Sequence, residues 1–121
     1  MAGAGGVFRL PRQIPLKVAM GYMLTGKHMT AQEACRLGVV NEVVPLKELI
    51  STAERWANEI LECSPISVRA SKQAAMMGLD MPLEKALTHS FSLSHQLWRS
   101  EDAVEGPKAF AEKRKPNWKG K

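Results

Sequence analysis

The sequence predicts a mainly α fold with one short strand. Apolar residues recur at three- and four-residue spacing along most of the chain, proline and glycine stand where helices start and stop, and only residues 39–44 form a β-branched run. The chain opens on a glycine-rich turn over residues 1–6. Pro11 and Pro15 then bracket a segment with room for a short helix or turn at most. From Pro15, whose fixed φ suits a first helical turn, Leu16, Ala19, Met20, Met23 and Leu24 draw an apolar face as far as Gly26. Thr30-Ala31-Gln32-Glu33 is a capping box, in which hydroxyl and carboxylate satisfy otherwise unpaired amides, and it opens a two-turn helix over 30–37 that Gly38 ends.

Val39, Val40, Val43 and Val44 favour an extended strand that Pro45 terminates. The clearest helix follows, with Leu46, Leu49, Ile50, Ala53, Trp56, Ala57, Ile60 and Leu61 on one stripe. Ser64-Pro65 opens another that runs to about Gly78. Pro82 opens a third, carrying Leu83, Ala86, Leu87, Phe91 and Trp98. Ser100 caps a short acidic turn, Glu101-Asp102. Gly106-Pro107 ends that turn and launches a last helix through Arg114, and residues 115–121 are irregular. A lone strand leaves its backbone groups unpaired unless other strands exist, so the inventory itself points to missing structure.

The chain's 121 residues fit one ordinary domain, and 45% hydrophobic with 24% charged residues exclude disorder and a disulfide scaffold. Charges interrupt every apolar run before the length of a membrane span, and the start lacks the basic and apolar regions of an export signal. Cys35 and Cys63 read as reduced core thiols. A net charge of +5 favours polyanionic partners without choosing among nucleic acid, a membrane surface and a phosphate-rich cofactor.

Chemistry is sparse. His28, His89 and His95 form neither a zinc motif nor a triad, and the helical carboxylates Glu48, Glu54, Glu59 and Glu62 read as a solvated face. In Gly3-Ala4-Gly5-Gly6, Phe8 stands where a dinucleotide fingerprint needs its third glycine. The turn is either merely tight or offers backbone amides to a ligand. The segment from Phe110 to Lys121 sets five cations in its last nine residues, with the aromatics Phe110 and Trp118 towards its two ends. It reads as a solvated basic tail or, with equal weight, as a phosphate grip, and the same features would also serve a single-stranded nucleic acid, the lesser reading.

Taken in order, GAGG-VF-RLPR, LTGKHMTAQEACRLGVVNEVVP, SPISVRASK and EGPKAFAEKRKPNW resemble the C-terminal half of the crotonase (enoyl-CoA hydratase/isomerase) superfamily, from end to end. The resemblance implies the C-terminal part of a crotonase-like α/β fold, a ββα spiral. Residues 1–45 would end the spiral core, and residues 46–121 would form a helical oligomerisation region with a CoA-contacting tail. It implies an acyl-CoA thioester as partner, no separate cofactor because coenzyme A belongs to the substrate, no metal, and assembly into a trimer or dimer of trimers. Nucleic acid and a membrane span are not implied, and the compartment would be cytoplasmic, with an organelle matrix as the alternative.

In such proteins the oxyanion-hole amides and the proton-moving glutamates lie upstream, the second glutamate just ahead of the position matching Met1. No catalytic residue therefore carries over. The substrate-binding residues that do are Gly3, whose amide matches one facing the reacting group, and Phe110 and Lys113, which match an aromatic and a lysine reaching the adenine and phosphate end of CoA. Val7 and Gln13-Ile14-Pro15 depart from the family pattern, so the acyl preference does not transfer. Met1 falls inside continuous family sequence, which leaves an internal start, a shortened reading frame or a deliberate cut as alternatives. The expected function is hydration or double-bond shift of an acyl-CoA by the complete protein, with this chain alone inactive. The alternative is a non-catalytic helical assembly module, associating with itself or with a full-length paralogue through the stripes around Trp56 and Phe91.

Overall fold

The computed structural model describes residues 3–121, as eight α-helices and one 3-10 turn: α1 (Gly6–Gln13), α2 (Leu16–Thr25), α3 (Ala31–Arg36), the turn Leu46–Glu48, α4 (Leu49–Leu61), α5 (Pro65–Gly78), α6 (Leu83–Thr88), α7 (Ser92–Trp98) and α8 (Glu101–Ala111). No strand occurs among the described residues, which overturns the expected strand at 39–44. The reason lies in the end of α3. Gly38 is left-handed (φ +78°), its N–H donates to the Cys35 carbonyl at 3.0 Å, and the Val39 N–H reaches back to Ala34 at 2.8 Å. That pair of bonds is a Schellman motif, and it takes amides a sheet would need. β-branched side chains favour extended backbone only where a neighbouring strand completes the ladder.

The chain divides into two compact units, one ending at Ile50 and the other running from Ser51 to Lys121. In the first, α1 and α2 pack together, with Ile14 and Ala19 buried. Gly5, left-handed at φ +78°, caps α1, and its carbonyl accepts from the amides of Phe8 and Arg9. Pro11 lies inside α1, not at its edge: a proline's φ is already helical, and the helix continues to Gln13 although the ring removes one bond of the ladder. Among the described residues only the hydroxyl half of the Thr30 box forms: the Glu33 N–H donates to Thr30 Oγ1 at 3.2 Å, while the Glu33 carboxylate accepts from Arg36 at 2.6 and 2.9 Å.

In the second unit α5 packs on α7, and α7 on α8. Gln73 of α5 substitutes for a missing cap on α7: its Oε1 accepts from the Leu93 N–H at 3.0 Å. The helix expected from Pro82 to Trp98 is two, broken at His89, Ser90 and Phe91, where Phe91 is extended and His89 meets its ring edge-on at 4.7 Å. Conversely the acidic turn and last helix are one helix, α8, with Pro107 inside it. Cys35 is half-buried and Cys63 exposed, so Cys63 is no core thiol.

The core is thin. Among the described residues the buried apolar ones are Ile14, Ala19, Ile66, Ala70 and Ala109, and no large side chain is fully buried. Helix α4 buries none of its residues, and Leu61 at its end is 76% exposed.

Candidate functional site: the clasped C-terminal tail

A network of side-chain hydrogen bonds in the second unit surrounds the tail, residues 115–121. Ser100 caps α8, its Oγ accepting from the Ala103 N–H at 3.2 Å, and so places Asp102 in the first helical turn. Asp102 is 3% exposed. It accepts from the Ser64 hydroxyl at 2.7 Å, the Lys119 N–H at 2.7 Å and the Gly120 N–H at 3.2 Å. Burial pushes this carboxyl up, but the Ser64 hydroxyl and the two tail amides outweigh it and hold it below the ordinary aspartate value. Ser64 also caps α5, so one carboxylate ties two helix starts to the tail.

Further along α8, Glu105 takes a forked pair of bonds from Arg114, at 2.6 and 2.9 Å, and another from the Asn117 N–H at 2.7 Å. Arg114 and the Asn117 amide together hold its carboxyl at about 2. Arg114 also bonds Glu112 at 2.6 Å, and these two carboxylates raise its pKa further. The Trp118 indole N–H donates to the Glu62 carbonyl at 2.7 Å, and the Lys121 carbonyl accepts from the Glu101 N–H at 2.8 Å. Two glycines make room: a Cβ at Gly106 would stand 3.3 Å from the Trp118 ring, and one at Gly120 would stand 3.2 Å from Pro65. Beside the clasp lies an apolar cavity of about 440 Å³, lined by Ile60, Leu61, Cys63, Pro65, Val68, Arg69 and Trp118.

Of the residues singled out from sequence, Phe110 and Lys113 come together at the end of α8. Phe110 is 87% exposed, and its carbonyl accepts from the Lys113 N–H at 3.2 Å. Lys113 is left-handed at φ +53°, and the Arg114 N–H reaches the Ala109 carbonyl at 3.0 Å, a second Schellman motif with lysine where glycine is usual. Gly3 lies in the other unit. It is exposed, its carbonyl accepts from the Gly6 N–H at 2.9 Å, and a Cβ there would meet nothing within 4 Å. In that turn it is Gly5, not Gly3, whose backbone requires glycine.

The tail is irregular as read, yet it is not merely solvated, and Arg114 is committed to carboxylates. Among the described residues no carboxylate forms an ion pair with Lys113 or Lys115, and no group of three His, Cys, Asp or Glu side chains could hold a metal. No helix among them is long and apolar enough to cross a membrane. Sequence reasoning missed Asp102 and Glu105 as organising residues. Asp102 signalled only a helix start, and the nine-residue interval from Glu105 to Arg114 matches no helical pairing rule.

The chain matches a family model along its whole length. The family model for enoyl-CoA hydratase/isomerase covers residues 1–121, and the chain belongs to this family, within the crotonase superfamily. It is 45% identical over 120 residues to (E)-benzylidenesuccinyl-CoA hydratase of Thauera aromatica, covering 99% of this chain and 47% of that protein. It is 44% identical over 121 residues to carnitinyl-CoA dehydratase of Salmonella arizonae, covering 97% and 46%.

Among solved structures, a short chain enoyl-CoA hydratase from Novosphingobium aromaticivorans superposes with a TM-score of 0.91 at 43% identity, over 100% of this chain and 48% of that one. An enoyl-CoA hydratase from Geobacillus kaustophilus gives 0.89 at 41%, over 97% and 44%. The chain thus spans about half the length of the relatives it matches.

Proposed function

We propose that this chain acts as a helical assembly module of the CoA-thioester class: it associates with copies of itself or with a full-length paralogue, and it supplies contacts to the nucleotide end of CoA. The observation that carries this reading is the uncovered apolar surface. Leu49, Ile50, Ile60 and Leu61 of α4 are each at least half exposed, and Leu24, Leu79, Leu87 and Trp98 more so, while the buried core is mostly alanine. Exposed apolar side chains in this number support a role in association, and covering them would stabilise the chain by about 25 cal/mol per Å² of apolar surface. Residues 46–121 would form the assembly region, residues 1–45 the end of the spiral core.

Within the complete protein, an acyl-CoA thioester would be the substrate class, and hydration or a double-bond shift the reaction. Kinship with a CoA-thioester hydratase and a CoA-thioester dehydratase supports this. Phe110 and Lys113 would meet the adenine and phosphate end, Phe110 offering an apolar ring and Lys113 a cation. Gly3 would present its amide near the acyl group. Native mass spectrometry of the 121-residue chain tests the assembly reading. A monodisperse oligomer, or a stable complex with a full-length relative, is expected; a folded monomer at micromolar concentration that ignores such a relative refutes it. Turnover of crotonyl-CoA by the pure chain above a protein-free blank would refute the non-catalytic part.

A further inference from the structure

Lys113 holds a backbone conformation that side chains with a Cβ rarely adopt, so the turn carrying it relaxes unless something fixes it. Its own amide bond to Phe110 fixes one side. On the other side stands Arg114, whose amide reaches Ala109 and whose guanidinium is forked onto Glu105 at 2.6 and 2.9 Å. The same Glu105 carboxylate accepts from the Asn117 N–H at 2.7 Å, so it grips the chain immediately after Lys113 and again four residues beyond it. Arg114 is shared between Glu105 and Glu112, and so it serves as a brace and not as a ligand for phosphate. We propose that Glu105 is a positioning residue for the CoA contact, acting through Arg114 to hold Lys113 where a phosphate can meet it. This rests on the reading that Phe110 and Lys113 contact CoA, and it assigns the brace, not the contact.

The test is a double-mutant cycle with free coenzyme A as the probe, by calorimetric titration of the 121-residue chain at a temperature well below its melt. Glu105→Gln is expected to weaken binding by about tenfold, a mid-range coupling for groups in one network. Lys113→Ala is expected to weaken it at least as much, and the double variant no more than Lys113→Ala alone. Arg114→Lys, which keeps the charge and loses the fork, should reproduce the Glu105→Gln loss if that variant folds poorly. Losses that multiply in the double variant, or a Glu105→Gln chain that melts earlier yet binds CoA as wild type does, overturn the positioning role while leaving the CoA reading intact. A wild-type chain that does not bind CoA overturns the reading and the brace together.

Discussion

Replacing Asp102 by alanine removes the acceptor that joins α5, α8 and the tail, and the cost follows from what each donor can do afterwards. The Ser64 hydroxyl, in a residue only 4% exposed, is left without its acceptor. A buried donor in that state costs about 1–3 kcal/mol. The Lys119 and Gly120 amides lie in the exposed or half-buried tail and turn to water, each losing only the advantage of a charged partner, about 1 kcal/mol. Loss of a negative charge from the first turn of α8 adds about 0.5 kcal/mol.

The sum is about 3.5–5.5 kcal/mol, a large part of the 5–15 kcal/mol by which domains are usually stable. Asp102→Asn keeps one acceptor oxygen and should cost about half as much. Urea unfolding followed by circular dichroism at pH 7, at one fixed protein concentration, measures both. Because the folded carboxyl titrates below its ordinary value of 3.8, its stabilisation is complete above that pH. It disappears as pH falls through the folded value, so the gap between wild type and Asp102→Asn should close in acid. A loss below about 1 kcal/mol for Asp102→Ala at pH 7 would show that the clasp is not what holds these elements.

Lys113→Gly relieves the left-handed backbone at the end of α8 and should raise stability by about 1 kcal/mol, read as a higher melting temperature, whereas Lys113→Val should lower it. Gly120→Val meets both a positive φ and Pro65, and should cost at least about 1–2 kcal/mol and shift Trp118 fluorescence as the tail lifts. Gly38→Ala, in open space with only the φ penalty, should cost about 1 kcal/mol in a thermal melt. The Glu105 carboxyl, lowered from 4.5 to about 2, contributes stability that is whole above pH 4.5 and gone as pH falls through about 2. Trp118 emission should therefore report tail release in that window, and a titration midpoint near 4.5 would contradict the pairing.

Local chemistry was legible in the sequence and long-range chemistry was not. Thr30 and Ser100 were readable as caps because a hydroxyl and the amide it serves lie three residues apart. The valines at 39–44 misled because extended backbone is a property of a pair of strands, and the amides of Val39 and Val40 instead face the Ala34 carbonyl. Pro107 misled because a proline removes one ladder bond without obliging the helix to stop. The resemblance singles out Phe110 and Lys113 as candidates, but nothing periodic connects Asp102 to Ser64, 38 residues away, or Glu105 to Asn117. Those partners are set by packing of the unit, so the clasp emerges only with the fold.

The most direct test of the assembly claim is hydrogen exchange along α4 as a function of protein concentration. With its apolar stripe covered by another chain, the amides of Leu49–Leu61 should gain protection steeply as concentration rises, and Ile60→Asp should abolish that gain. If α4 exchanges at one rate across the whole range while α5 and α8 stay protected, the stripe faces water in the working state and the chain is not an assembly module.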